Sequence, residues 1–116
     1  MATILIVENE PKIAEFIVKG LRRDGYECLI EENQTNVLDR VISDNIDLIL
    51  LDLGKLDTNA VALLNQLRET VVQIPVIVMT VRQEIERAQI IELGAKELIK
   101  KPFRFKELLM QIHRYV

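Results

Sequence analysis

The chain has 116 residues, the size of one ordinary domain, and at 49% hydrophobic residues it can bury a full core. Its 15 basic and 18 acidic residues leave a net charge of −3 with no block of like charge, which argues against general nucleic-acid binding. One cysteine excludes an internal disulfide, one histidine excludes a Cys/His metal cluster, and no apolar run is long enough to cross a bilayer.

Met1-Ala2-Thr3 leads straight into an apolar run without the basic segment of a signal peptide, so a cytoplasmic location is expected. Thr3–Val7 is a continuous β-branched run, as in a strand buried on both faces. Pro11 opens a helix at its favoured first-turn position, with Ile13, Phe16, Ile17 and Leu21 as its apolar stripe. Asp24-Gly25 ends that helix, Gly25 as a left-handed cap. Tyr26–Ile30 is the second predicted strand, and Cys28 within it reads as a small buried hydrophobe. Thr35 is placed to cap a second helix with stripe Val37, Leu38, Val41 and Ile42.

Asp47–Leu51 is the third strand, followed by a loop from Asp52 to about Thr58. A third helix near Asn59–Glu69 carries Val61, Leu63, Leu64 and Leu67 on one stripe. Pro75–Met79 is the fourth strand, its proline at the tolerated first position. Gln83–Leu93 is a fourth helix closed by Gly94, Lys96–Lys100 a short edge strand, and Phe103 onward a last helix. Five successive strand–helix units predict an α/β fold with a doubly wound parallel sheet.

Such a sheet brings four of its strand ends to one carboxyl edge, where open α/β sheets bind ligands. Glu8-Asn9-Glu10, Asp52, Thr80 and Lys101-Pro102 all follow strands there. A nucleotide site would want glycines after the first strand, and carboxylates at that turn repel phosphate and attract a cation. The acidic turn with Asp52 suits Mg²⁺, a hard cation that takes oxygen ligands. Asp52 can then act as a covalent phosphoryl acceptor, with Lys101 and Thr80 meeting the phosphoryl oxygens. Each residue alone has a plainer reading: a helix-dipole acid, a turn residue, a cap, a solvated lysine. Their coincidence at one edge favours the joint reading. His113, in the last helix and far in sequence from these residues, reads as a surface or boundary residue, and Lys55 as a solvated loop lysine. Arg82, two past Thr80, reads equally as a helix-start surface charge or as a residue acting at the site.

The stretches Ile4–Glu10, Asp47–Leu53, Pro75–Thr80, Gly94-Ala95 and Lys101-Pro102-Phe103, in this order, resemble the receiver domain of bacterial two-component response regulators. The resemblance spans residues 1–116, read as one receiver domain. It implies a CheY-like, flavodoxin-like three-layer sandwich with five parallel strands in the order 2-1-3-4-5. It also implies that Asp52 takes a phosphoryl group from a sensor histidine kinase. Mg²⁺ would be held by Glu8, Asn9, Asp52 and the Gly54 backbone carbonyl. Thr80 and Lys101 would bind the phosphoryl group, Thr80 and the residue at position 98 would act as the switch, and the Lys101–Pro102 bond would be cis. Such a domain is a phosphoacceptor rather than an enzyme. It would address an output domain or partner protein through the fourth helix, fifth strand and fifth helix, touching neither nucleic acid nor membrane itself.

This chain departs from the family pattern. Asn9 replaces an aspartate metal ligand, which implies weaker Mg²⁺ binding. Leu56, Asp57 and Ala60 replace the usual Pro and Gly of the loop, Val81 replaces a small residue, and Leu98 replaces the switch aromatic. Glu97 and Glu107 match acidic members of a dimerising face, but Gln89 and Gln111 replace the basic partners. The alternative reading is therefore a pseudo-receiver, a protein-interaction module largely independent of phosphorylation.

Overall fold

The computed structural model describes residues 1–70 and 73–116. Strands β1 (Thr3–Val7), β2 (Glu27–Glu31), β3 (Leu48–Asp52), β4 (Val76–Thr80) and β5 (Glu97–Lys100) form one parallel sheet in the order β2-β1-β3-β4-β5. Helices α1 (Pro11–Arg23), α2 (Val37–Ser43), α3 (Thr58–Arg68), α4 (Arg87–Glu92) and α5 (Phe105–His113) connect and cover them. The expected three-layer arrangement is therefore the one observed. Among the described residues no helix is long and apolar enough to cross a membrane.

Strand alternation explains how one sheet serves two cores. Ile4, Ile6, Leu48, Leu50, Ile77 and Met79 pack with Ile17, Leu21, Leu108 and Ile112 of α1 and α5. Their neighbours Leu5, Val7, Ile49, Leu51, Val76 and Val78 pack with residues of α2, α3 and α4. Both faces are apolar, so the strands read as unbroken hydrophobic runs. Gly25 and Gly94 sit at φ 93° and 104°, the left-handed caps of α1 and α4.

Several boundaries differ from the sequence reading. Thr35 does not cap α2: Asn33 accepts its N–H and hydroxyl and opens a single 3-10 turn, Gln34–Asn36. Ile42 of the expected stripe is largely exposed, because α2 spans only seven residues and seats Val37 and Val41. The fourth helix begins at Arg87 rather than Gln83. Lys100 takes the carbonyls of Arg82, Gln83 and Ile85, and a Glu86–Gln89 capping box starts the helix after them. The last helix begins at Phe105, which leaves Phe103 in the preceding turn, packed on the α1/α5 core.

Gly20 of α1 faces the ring of Phe105 at the start of α5. A Cβ there would lie 2.3 Å from the Phe105 ring, and that ring also meets Phe16 edge-on at 5.9 Å. Ala at this position gains about 1 kcal/mol of helix propensity. Displacing a packed ring costs about 1–3 kcal/mol. Gly20→Ala should therefore be net destabilising in urea unfolding, and adding Phe105→Leu should recover part of the loss. A Gly20→Ala protein more stable than the parent would show that the ring moves aside freely.

Candidate functional site

Alternation also decides which strand-end residues meet. Glu8, Asp52 and Lys101 continue the parity of Ile6, Leu50 and Ile99, so all three lie toward the α1/α5 side. The Lys101 ammonium bridges the two carboxylates, 2.7 Å from Glu8 Oε1 and 2.8 Å from Asp52 Oδ1. Glu8 Oε2 accepts the Glu10 N–H at 3.3 Å. Glu8 is only 2% exposed, whereas Asp52 is partly open to solvent.

Burial pushes the Glu8 carboxyl above its ordinary 4.5; the Lys101 hydrogen bond only partly offsets this, and the Asp52 charge adds to the rise. Burial alone would lower Lys101, but hydrogen bonds to Asp52 and Glu8 outweigh it and hold the ammonium above 10.5. The lysine is therefore a fixed positive charge at neutral pH. The Lys101–Pro102 bond is cis.

A cleft of about 140 Å³ opens over Glu8 and Asp52, lined also by Val7, Asn9, Glu32, Gln34 and Gly54. Its oxygen donors are of the hard kind that Mg²⁺ takes. Among the described residues no three Asp, Glu, His or Cys side chains converge to hold a metal by themselves. A cation here would rest on Glu8 and Asp52 together with neutral oxygens, the Asn9 amide and the Gly54 carbonyl. The donor set fits Mg²⁺ in chemistry.

Thr80 is fully buried at the end of β4, on the opposite parity, and its hydroxyl accepts the Arg82 N–H at 3.1 Å. Val81, beside it, is 60% exposed. Leu98 is half-buried against the α2/α3/α4 core. Glu97 is buried in an ion pair with Arg87 of α4, 2.6 Å from Nε. Burial would raise Glu97, but that bond and the Leu98 N–H outweigh it and hold its carboxyl below 4.5. His113 pairs with Asp24 at 2.7 Å, remote in sequence from the cleft residues, and Cys28 is buried and free.

The sequence reading draws on four strand ends, and the structure adds a fifth. Glu32 and Gln34 follow β2 and line the cleft, and Gln34 Nε2 donates to the Asp52 carbonyl at 3.2 Å. Their signal was their place after a strand of the same sheet. Of the two readings open for Arg82, the geometry favours a part in the site: its Nε donates to the Gly54 carbonyl at 2.8 Å.

Removing the bridging ammonium isolates a buried carboxylate. Lys101→Met should cost about 3 kcal/mol at pH 7, the scale for breaking a buried ion pair. The sign follows from Glu8: its raised carboxyl penalises folding while ionised, and the penalty fades as pH falls toward 4.5. The parent's Lys101 contribution, full below 10.5, is unchanged between pH 7 and pH 5. Urea unfolding should therefore show a smaller gap between variant and parent at pH 5 than at pH 7; an equal or wider gap would remove Glu8 as its cause.

The family model described as "Response regulator receiver domain" matches residues 4–113. The transcriptional regulatory protein YkoG of Bacillus subtilis is 37% identical over 110 residues, covering 94% of this chain and 48% of that protein. The phosphate regulon regulatory protein PhoB of Pseudomonas aeruginosa is 38% identical over 113 residues, covering 95% and 49%. The chain thus spans about half the length of the curated relatives it matches. Among solved structures, the response regulator TrrA of Thermotoga maritima, in complex with Mg²⁺-BeF, superposes with a TM-score of 0.86 at 27% identity and full coverage of both chains. With its fold and these likenesses in agreement, the chain belongs to the response regulator receiver domains of two-component systems.

Proposed function

We propose that Asp52 is the phosphoacceptor of a two-component switch. The observation that carries this reading is the partly open Asp52 carboxylate, held 2.8 Å from a buried ammonium at the mouth of an oxygen-lined cleft. In the reaction, an Asp52 oxygen attacks the phosphorus of a histidine kinase's phosphohistidine. A phosphorus–oxygen bond forms as the phosphorus–nitrogen bond breaks, and the imidazole leaves. Lys101 then pairs with the phosphoryl oxygens, giving up part of its hold on Asp52, and the Thr80 hydroxyl donates to another. Mg²⁺, when bound by Glu8, Asn9, Asp52 and the Gly54 carbonyl, neutralises charge that develops on the phosphoryl oxygens. The domain is on this reading a phosphoacceptor and not an enzyme with a separate substrate.

Asn9 supplies an oxygen without charge, so the cation binds more weakly than at a family site with two acidic residues after the first strand. The domain acts in the cytoplasm and passes its state to an output domain or partner through α4, β5 and α5, without itself touching nucleic acid or membrane. The relatives' description as transcriptional regulators, with about twice this chain's length, supports such an output. Glu97 is already paired with Arg87 inside the chain, which leaves it unfit for matched-charge dimerisation.

Incubation with a small-molecule phosphodonor and Mg²⁺ should add one phosphoryl group by intact-protein mass, and none to Asp52→Ala. A folded protein that gains nothing at high Mg²⁺ would turn the reading to a pseudo-receiver. Asn9→Asp should tighten Mg²⁺ binding by roughly 5- to 150-fold, the equivalent of about 1–3 kcal/mol; equal affinities would mean that position 9 does not reach the cation.

A further inference from the structure

The loop between β4 and α4 is held by two cations that the phosphoryl chemistry does not use. Lys100 of β5 lies on the same face as its register partner Thr80. Its ammonium donates to the carbonyls of Arg82 at 2.6 Å, of Gln83 at 3.1 Å, and of Ile85. All three donors of the ammonium are thereby aimed at the loop's main chain. The Thr80 hydroxyl accepts the Arg82 N–H and fixes the loop where it leaves the strand.

Held in this way, Arg82 reaches the main chain of Gly54, a residue that lines the cleft. Its Nε donates to the Gly54 carbonyl at 2.8 Å, and its terminal nitrogen lies 3.5 Å from Glu84. That carbonyl matters more here than in a site rich in carboxylates. Glu8 and Asp52 are the charged donors, both already on Lys101, and position 9 is an amide. A carbonyl oxygen has two lone pairs, but a guanidinium and a divalent cation sharing one oxygen would sit within a few ångströms of each other, where like charges repel strongly. The guanidinium is charged at every accessible pH, so no protonation change removes the conflict.

We propose that Arg82 is an internal competitor of the divalent cation: it occupies the Gly54 carbonyl, and loading the cation displaces its guanidinium and frees that side of the β4–α4 loop. The inference rests on the phosphoacceptor reading of the site and names how that site is regulated. Because linkage is reciprocal, whatever holds the loop in its Arg82-bound form also lowers the affinity for the cation.

The test is a Mg²⁺ titration followed by NMR, reading the Gly54 carbonyl carbon and the amides of Lys55 and of residues 82–86. The proteins are the parent, Arg82→Ala, and Lys55→Gln as a control that deletes a neighbouring exposed charge. The Arg82 side chain is half exposed, so its removal leaves the core intact. In the parent, Mg²⁺ should shift Gly54 and residues 82–86 together with one Kd. Losing the competing hydrogen bond should tighten Mg²⁺ roughly 3- to 10-fold in Arg82→Ala. Lys55→Gln should change Kd by less than Arg82→Ala does. An unchanged Kd in Arg82→Ala, or equal tightening in both variants, would overturn the competitor and leave the phosphoacceptor reading intact. The absence of saturable shifts in all three proteins would overturn both.

Discussion

The contact on which the rest of this site depends is the Lys101 ammonium between Glu8 and Asp52. It ties the carboxyl ends of β1, β3 and β5 together across the sheet, and it makes a nearly buried glutamate tolerable next to a second carboxylate. The balance is incomplete by design of the residues: two acids face one base. Burial shifts Glu8 toward its neutral form, while its neighbours hold Lys101 charged. A further cation would complete the charge at this edge, and a phosphoryl group arriving at Asp52 would bring oxygens for Lys101 to hold. On the phosphoacceptor reading, structure and chemistry thus draw on the same three side chains.

Two consecutive lysines on β5 and its exit divide the work by parity. Lys101 points to the α1/α5 side, where it meets the acids; Lys100 points to the other, where it gathers the carbonyls after β4. A one-residue slip of β5 would exchange these roles and strand both charges. The register Thr80↔Lys100 prevents the slip, and the Arg87–Glu97 pair binds α4 to the same strand.

Much of this was legible in the sequence because it follows from periodicity. Unbroken apolar runs announced strands buried on both faces, and Pro11, Gly25 and Gly94 marked helix boundaries by backbone rules that hold in any context. The meeting of Glu8, Asp52 and Lys101 followed from placing their strands in one parallel sheet, whereas Thr80 ends its strand at the same edge but on the opposite parity. What escaped was decided by long-range partners. Gln83–Glu86 has acceptable helical composition, but Lys100 takes the carbonyls that a helix there would have used. Thr35 is a good cap by type, but it lies inside the 3-10 turn and its hydroxyl donates back to Asn33 Oδ1. Arg82 stayed open between a surface charge and a site residue, since nothing local in the chain points it at a carbonyl 28 residues away. The opposite faces of Lys100 and Lys101 were readable from strand parity alone.

The same long-range contacts bear on how a signal could leave a site that lacks an aromatic at position 98. Coupling between distant surfaces needs an element with two discrete arrangements that both ends bias. Leu98 offers no hydroxyl or ring to follow a shift of Thr80. The β4–α4 loop does meet the requirement on the competitor reading: Arg82 either holds the Gly54 carbonyl or yields it to a cation. Lys100 anchors that loop to β5 through three carbonyls, and Arg87 anchors the start of α4 to β5 through Glu97. Releasing Arg82 therefore acts on a segment already bonded to β5 on both sides of Ile85. On that reading, the main-chain hydrogen bonds to Lys100 carry a change at the carboxyl edge to the α4–β5 face.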